Sequence, residues 1–119
     1  MKTKYGEFTS AQMQSAKKEI RKNIIFLLSI VDPKLKEEYK HIDVNAAFNS
    51  LLMELGGMNE LFFCPVEIVT VMSLLEAALI EYNSPEFDFA KYRKLVLDAG
   101  AKVELIKEVD DESTNSESI

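Results

Sequence analysis

Apolar residues recur at intervals of three and four along most of this chain, which is the spacing of helices that bury one face in a core. The first run begins after Thr9 or Ser10, both good helix caps, and ends at about Val31. Asp32-Pro33 then stops it, because the residue before a proline avoids the helical conformation, and the same pair can open a second helix. The stripe of the first helix is Met13, Ala16, Ile20, Ile24, Leu27 and Val31.

The next segment carries two stripes that are out of phase, one through Ile42 and one from Val44. The change of phase predicts a break or kink near residues 40–43, with Asp43 capping a separate helix. We expect that helix to end before Gly56-Gly57, because glycine is the usual residue just past a helix. The two stripes are Leu35, Tyr39 and Ile42, then Val44, Phe48, Leu51 and Leu55.

The stretch ELFFCPVEIVTVMSLLEAALI, residues 60–80, is the most apolar in the chain. A membrane-spanning helix needs about 20 apolar residues with few or no charges, and three glutamates interrupt this one. We therefore expect no membrane contact, but a mostly buried amphipathic helix from Pro65 to about Asn83. Its apolar side collects Ile68, Val71, Met72, Leu75, Leu79 and Tyr82, and its other side Glu67, Thr70, Leu74, Ala77 and Glu81.

The last helix opens at Asp88, which as a cap would place Phe87 and Tyr92 at the two ends of a hydrophobic staple. Its stripe keeps the three-four spacing through Gly100, so we expect the helix to continue past that glycine. A glycine there costs about 1 kcal/mol of helix stability relative to alanine. The alternative is a stop at Gly100 followed by a short strand, KVELIKEV. The stripe is Phe89, Tyr92, Val96, Ala99, Val103 and Ile106.

These elements predict an all-α fold, a compact bundle of four to five helices. We expect a flexible N-terminus over residues 1–8, one helical-bundle domain over residues 9–109 and a disordered acidic tail over residues 110–119, because DDESTNSESI is polar and poor in apolar residues. The single cysteine, Cys64, fits a reducing compartment, and the first residues lack the apolar core of a secretory signal. We therefore expect a cytoplasmic protein.

The second half of the first helix, NIIFLLSIV, is apolar on almost every side. A helix without a polar face must be covered all round, which is difficult in a chain of 119 residues. This segment is therefore either the centre of the bundle or part of a subunit interface. The candidate interface residues are Ile24, Ile25, Phe26, Leu27, Leu28, Ile30 and Val31.

Charge is distributed unevenly along the chain, whose net charge is −6. Residues 1–40 hold nine Lys and Arg against five acids, whereas residues 41–90 hold eight acids and no Lys or Arg. Such an acidic middle repels nucleic acid and attracts basic partners. The alternative is that the acidic middle has no function, because the helix surfaces of small acidic proteins commonly accumulate acidic residues.

Glu76 is the one carboxylate that helical spacing places inside an apolar arc, near Val69 and Met72. A buried carboxylate either meets a cation or a hydrogen-bond donor, or keeps its proton. Three interpretations stay open: Glu76 reaches water or a basic residue, contacts a ligand or partner, or takes part in catalysis. No metal-ligand spacing, phosphate loop or nucleophile motif accompanies it, and His41 is the only histidine. We therefore expect no cofactor, no metal and no enzyme.

The residues support three classes of function. The leading hypothesis is a non-enzymatic interaction protein that self-associates, for example as a homodimer, or binds a basic protein partner through its helix faces. The second is a nucleic-acid-associated regulator that uses the basic run KKEIRK, although no DNA-binding motif accompanies it. The third is a small-molecule site or minor enzyme around Glu76. The basic contact face of the second hypothesis is Lys17, Lys18, Arg21 and Lys22.

Overall fold

The computed structural model describes residues 2–3, 6–7, 9–63 and 65–106 of the chain. Within these residues, four helices pack around one apolar core, which confirms the predicted all-α bundle. Two strands of two residues pair antiparallel ahead of the first helix, within the segment expected to be flexible. The predicted acidic tail lies outside the described residues. The elements are β1 (Lys2–Thr3), β2 (Gly6–Glu7), α1 (Ser10–Ser29), α2 (Val44–Leu61), α3 (Val66–Tyr82) and α4 (Phe89–Val103).

The start of α1 is fixed by a capping box, as the sequence predicts. The Thr9 hydroxyl accepts a hydrogen bond from the Gln12 backbone N–H at 3.1 Å. In return, the Gln12 side chain accepts one from the Thr9 backbone N–H at 2.8 Å. The pair satisfies two donors that a helix start leaves open. The helix ends at Ser29, ahead of Asp32-Pro33 as expected.

The second helix predicted after Asp32 does not form. Only a three-residue 3₁₀ helix, Pro33–Leu35, stands there, and turns carry the chain on to residue 42. Most side chains of this segment are exposed and none is fully buried. Burial therefore offers too little to offset the cost of ordering a regular helix.

The predicted break before α2 is confirmed. The Asp43 carboxylate caps the helix by accepting a hydrogen bond from the Ala46 N–H at 3.1 Å. The expectation that α2 ends at Gly56-Gly57 is wrong, because the helix continues to Leu61. Each glycine costs about 1 kcal/mol relative to alanine in a helix. The turn beyond them packs Met58 and Leu61 against the core, which offsets that cost.

The bounds of α3 follow the prediction closely. Pro65 is its cap residue rather than its first residue, and Asn83 follows its last turn. The predicted apolar side is confirmed at its centre, since Val71 and Leu75 are fully buried. Glu81, which was expected on the polar side, is buried instead.

The start of α4 combines a cap with the predicted staple. The Asp88 carboxylate accepts a hydrogen bond from the Ala90 N–H at 2.9 Å. The rings of Phe87 and Tyr92 meet edge to face with their centroids 5.8 Å apart. The helix runs on past Gly100, so the alternative of a strand after that glycine is wrong.

Helix packing defines the order around the bundle as α1, α4, α3, α2. The closest pair is α3 with α4, whereas α1 and α2 are the least closely packed neighbours. Tyr92 lies at the centre, fully buried, with its ring edge to face against Phe48. Other fully buried core residues include Met13, Ile20, Ile24, Leu27, Leu55, Ile68, Val71, Leu75 and Val96.

Candidate functional site

Glu76, the candidate buried carboxylate, is exposed. Of the three interpretations left open by the sequence, this exposure agrees with the first, in which Glu76 reaches water, because the apolar arc around it extends onto the exposed side of α3. Among the described residues, no group of three His, Cys, Asp or Glu side chains could hold a metal ion.

The buried carboxylate of α3 belongs to Glu81. It accepts a hydrogen bond from the Asp88 backbone N–H at 2.9 Å and lies 3.4 Å from the Lys91 ammonium. A buried carboxylate needs such a donor and cation, and both are supplied by the start of α4. Glu81 therefore joins the end of α3 to α4.

The expectation that all four cations of the basic contact face lie on the outside of α1 is wrong. Lys17 is buried, and its ammonium donates to the carbonyls of Glu104 and Ile106 at 3.1 and 3.0 Å. Arg21 pairs with the Glu104 carboxylate. These two cations hold the C-terminal end of α4, where the last carbonyls carry partial negative charge. The other two lysines of the set are exposed.

The apolar segment NIIFLLSIV divides between core and surface. Five of its seven candidate interface residues are covered, wholly or in part, by the chain's own bundle. Ile25 and Phe26 are exposed. The chain's own bundle therefore covers most of this segment, which leaves Ile25 and Phe26 as its most exposed candidates for a subunit interface. The covered residues are Ile24, Leu27, Leu28, Ile30 and Val31.

A group of exposed apolar side chains lies on the hairpin that α2 and α3 form. Met53, Val66 and Ile80 expose 78, 69 and 72% of their surface. Groups of this kind mark interaction sites when they are contiguous. We call this surface the hairpin face, and its apolar residues are Met53, Phe63, Val66, Val69 and Ile80.

The two helices contribute to the same side of the hairpin. Gly56 lies at the seam with α3, because a side chain there would stand 3.9 Å from the Met72 methyl. Met53 precedes Gly56 by three residues, and Val69 precedes Met72 by three. A step of three residues turns a helix by about 300°, so Met53 and Val69 each lie about 60° around their helix from the residue at the seam. Since both are exposed, they share its outer side.

Exposed positions along α3 follow a spacing of three, four, three and four residues. This is the spacing of a helix seam that packs against another helix. At a rise of about 1.5 Å per residue, the row extends for about 21 Å. Its positions are Val66, Val69, Ser73, Glu76 and Ile80, all of which are exposed.

Phe63 stands at the corner between α2 and α3 with a positive φ of 63° and an exposed ring. This left-handed conformation costs a bulky residue on the order of 1–3 kcal/mol. Residues held in such conformations cluster at functional sites, and aromatic side chains contribute much of the energy of protein interfaces. Phe63 is therefore the candidate anchor of the hairpin face.

The charged side chains of α2 and α3 themselves are all acidic. Glu60 and Glu76 are exposed, and residues 41–90 contain no Lys or Arg. The hairpin's own side chains therefore contribute a negative potential, which favours a cationic partner.

Comparison with protein-family models, with curated proteins and with solved structures finds no match to this chain. Within the described residues, none of the helices has the length and apolar character needed to cross a bilayer. The function of the protein must therefore be inferred from the geometry and charge of the hairpin face.

The sequence contains a signal for this face that the core stripe of α3 alone does not show. Val66, Val69 and Ile80 form a second apolar row on the side of α3 away from its core residues. A helix that is apolar on two sides needs two covering surfaces. Among the described residues, the bundle covers only the core side of α3.

Proposed function

We propose that this protein is a non-enzymatic interaction protein whose hairpin face binds a basic amphipathic helix of a partner protein. The observation that carries the proposal is the exposed row from Val66 to Ile80, in a region without basic residues. A partner helix laid along the row would bury its apolar side chains, as amphipathic helices do in apolar grooves.

The row is apolar at its ends and polar at its centre. Val66 and Val69 lie at one end and Ile80 at the other, with Ser73 and Glu76 between them. The small Ser73 side chain allows a partner helix to approach closely. Glu76 can then pair with a Lys or Arg, and a hydrogen bond to a charged group contributes about 1.5–3 kcal/mol. The matching partner has apolar residues at both ends of its contact row and a basic residue between them.

Self-association through the hairpin face is less favourable than binding a basic partner. Two parallel copies would set Glu76 against Glu76, and like charges repel. Two antiparallel copies would set Glu76 near Val69, which would desolvate the carboxylate without a cation. A partner that carries Lys or Arg at this position avoids both arrangements.

A nucleic-acid role draws little support from α1. Lys17 and Arg21 already hold the end of α4, through the Glu104 and Ile106 carbonyls and the Glu104 carboxylate. The two remaining lysines make a smaller positive surface than the sequence indicates, and phosphate binding grows with the number of such contacts.

The test is a fluorescence-anisotropy titration with a labelled 18-residue helical peptide of leucine and lysine, with leucine at three-four spacing. The matched peptide carries glutamate in place of lysine. We expect the basic peptide to bind and the acidic one not to bind. Glu76→Lys and Ile80→Ser should each weaken binding about tenfold, which corresponds to about 1.4 kcal/mol.

Two variants serve as controls away from the hairpin face. Glu19→Lys makes the same charge change on the exposed side of α1, and Leu105→Ser removes an exposed apolar side chain after α4. Both should bind the basic peptide as the wild type does. Equal binding of the two peptides, or equal losses in the control variants, would overturn the proposal.

A further inference from the structure

A groove lies at the end of the bundle where α1 ends, α2 begins and α3 ends. Its volume is about 410 Å³. Ile30 and Val31 line it from the end of α1, and Val44 lines it from the start of α2. None of these residues belongs to the hairpin face. We infer that this groove binds a small molecule with an apolar body and a single carboxylate.

Aromatic rings form much of the apolar wall. Tyr39, Tyr82 and Phe87 all line the groove. Tyr82 and Phe87 meet edge to face with centroids 5.9 Å apart, and Tyr39 meets Phe26 in the same way at 5.8 Å. The rings are therefore held by their neighbours, so a ligand would meet a preformed surface. Each tyrosine also brings a hydroxyl that can donate a hydrogen bond.

The charged residues of the groove favour an anion. Lys36 and Lys40 line it, and both are exposed. The one acid in the lining, Asp32, already accepts a hydrogen bond from the Lys34 backbone N–H at 2.9 Å. Lys40 lies 3.4 Å from Glu37, but both side chains are largely exposed, and such pairs contribute little. The Lys40 ammonium can therefore turn to a carboxylate in the groove.

The dimensions select a small ligand rather than a protein segment. Ligand pockets have volumes of about 300–1,000 Å³, with apolar walls and a few polar groups that fix orientation. At about 410 Å³ the groove lies near the lower end of that range. Its lining combines apolar side chains with the polar groups of two tyrosines and two lysines. An aliphatic or aromatic body would contact the rings, and its carboxylate would face the two lysines.

The experiment is isothermal titration of the full chain with decanoate, and with decanol as the uncharged molecule of equal length. We expect decanoate to bind at least tenfold more tightly than decanol. The double variant Lys36→Glu/Lys40→Glu should lose at least tenfold in decanoate affinity. The matched control Lys18→Glu/Lys22→Glu makes the same charge change on the exposed side of α1 and should retain the wild-type affinity.

Amide chemical shifts in two-dimensional NMR spectra locate the ligand independently of any variant. Decanoate should shift the amide signals of Tyr39, Ile42 and Val44, and leave those of the hairpin face unchanged. Absence of decanoate binding, equal affinity for decanol, or an unchanged double variant would overturn the inference. Binding of the basic peptide to the hairpin face is measured separately, so failure of either proposal leaves the other intact.

Discussion

The hydroxyl of Tyr92 donates a 2.6 Å hydrogen bond to the backbone carbonyl of Leu27, and both residues are buried. Leu27 lies in the last turn of α1, where the final four carbonyls have no partner within the helix. Tyr92 therefore supplies, from the centre of the bundle, a hydrogen bond that α1 cannot make for itself. The contact joins α4 to α1 beside the rings of Phe48 and Phe87, which also pack against Tyr92.

Tyr92→Phe should lower the free energy of unfolding by about 1–3 kcal/mol, because it leaves a buried carbonyl without a donor while keeping the ring. Urea unfolding followed by circular dichroism measures the change. Tyr39→Phe, at a half-buried position on the surface of the bundle, should change stability by less than about 0.5 kcal/mol. Equal effects of the two variants would contradict this account.

Stability should also depend on Tyr92 at alkaline pH. Burial, with a smaller contribution from Tyr82, raises the pKa of Tyr92 well above its usual value of about 10. Above pH 10 the unfolded chain loses this proton while the folded chain keeps it, so unfolding becomes more favourable as pH rises.

The stabilisation from this group is thus fully present below about pH 10 and declines above it, by at most about 1.4 kcal/mol per pH unit. The measurement is the free energy of unfolding from pH 8 to pH 11 for the wild type and Tyr92→Phe. The difference between the two should narrow as pH rises above 10, since the variant lacks the titrating group. A constant difference would show that Tyr92 does not titrate in this way.

Lys17→Met should destabilise the protein by about 1–3 kcal/mol. The change removes the ammonium that donates to the Glu104 and Ile106 carbonyls while keeping an apolar chain of similar length. Thermal or urea unfolding measures the loss. Lys18→Met, at the exposed neighbouring position, should stay within about 0.5 kcal/mol of the wild type.

Gly57→Ala should stabilise the protein by about 0.5–1 kcal/mol. Gly57 lies inside α2, and a side chain there would meet no atom within 4 Å. Alanine then gains helix propensity without a clash. The change in urea midpoint at constant slope is the measurement. Destabilisation would instead indicate that α2 ends at the glycines, as its sequence suggests.

Phe63→Gly tests two properties of the hairpin corner separately: the backbone strain at Phe63 and the proposed role of its ring in binding the basic peptide. Glycine adopts a positive φ without the penalty of a side chain, and the Phe63 ring is mostly exposed, so we expect stability to rise by about 0.5–1 kcal/mol. Binding of the basic peptide should weaken about tenfold, because the aromatic anchor is lost. A variant that is more stable and binds equally well would remove Phe63 from the interface.

The sequence by itself determined the helix starts and the all-α fold. Thr9, Asp43 and Asp88 cap three of the helices as predicted. The staple of Phe87 and Tyr92, and the passage of α4 through Gly100, follow from spacing in the same way. These features depend on contacts between residues a few positions apart, so the local sequence contains all the information they need.

Only the tertiary structure decided which sides of the helices are covered. Spacing shows which residues share a side, but not whether another helix lies against it. Glu76 is therefore exposed although spacing places it in an apolar arc, and Glu81 and Lys17 are buried where the start and the end of α4 supply their partners. The hairpin face has the same origin: α3 is apolar on two sides, and its neighbours cover the core side while Val66, Val69 and Ile80 remain exposed.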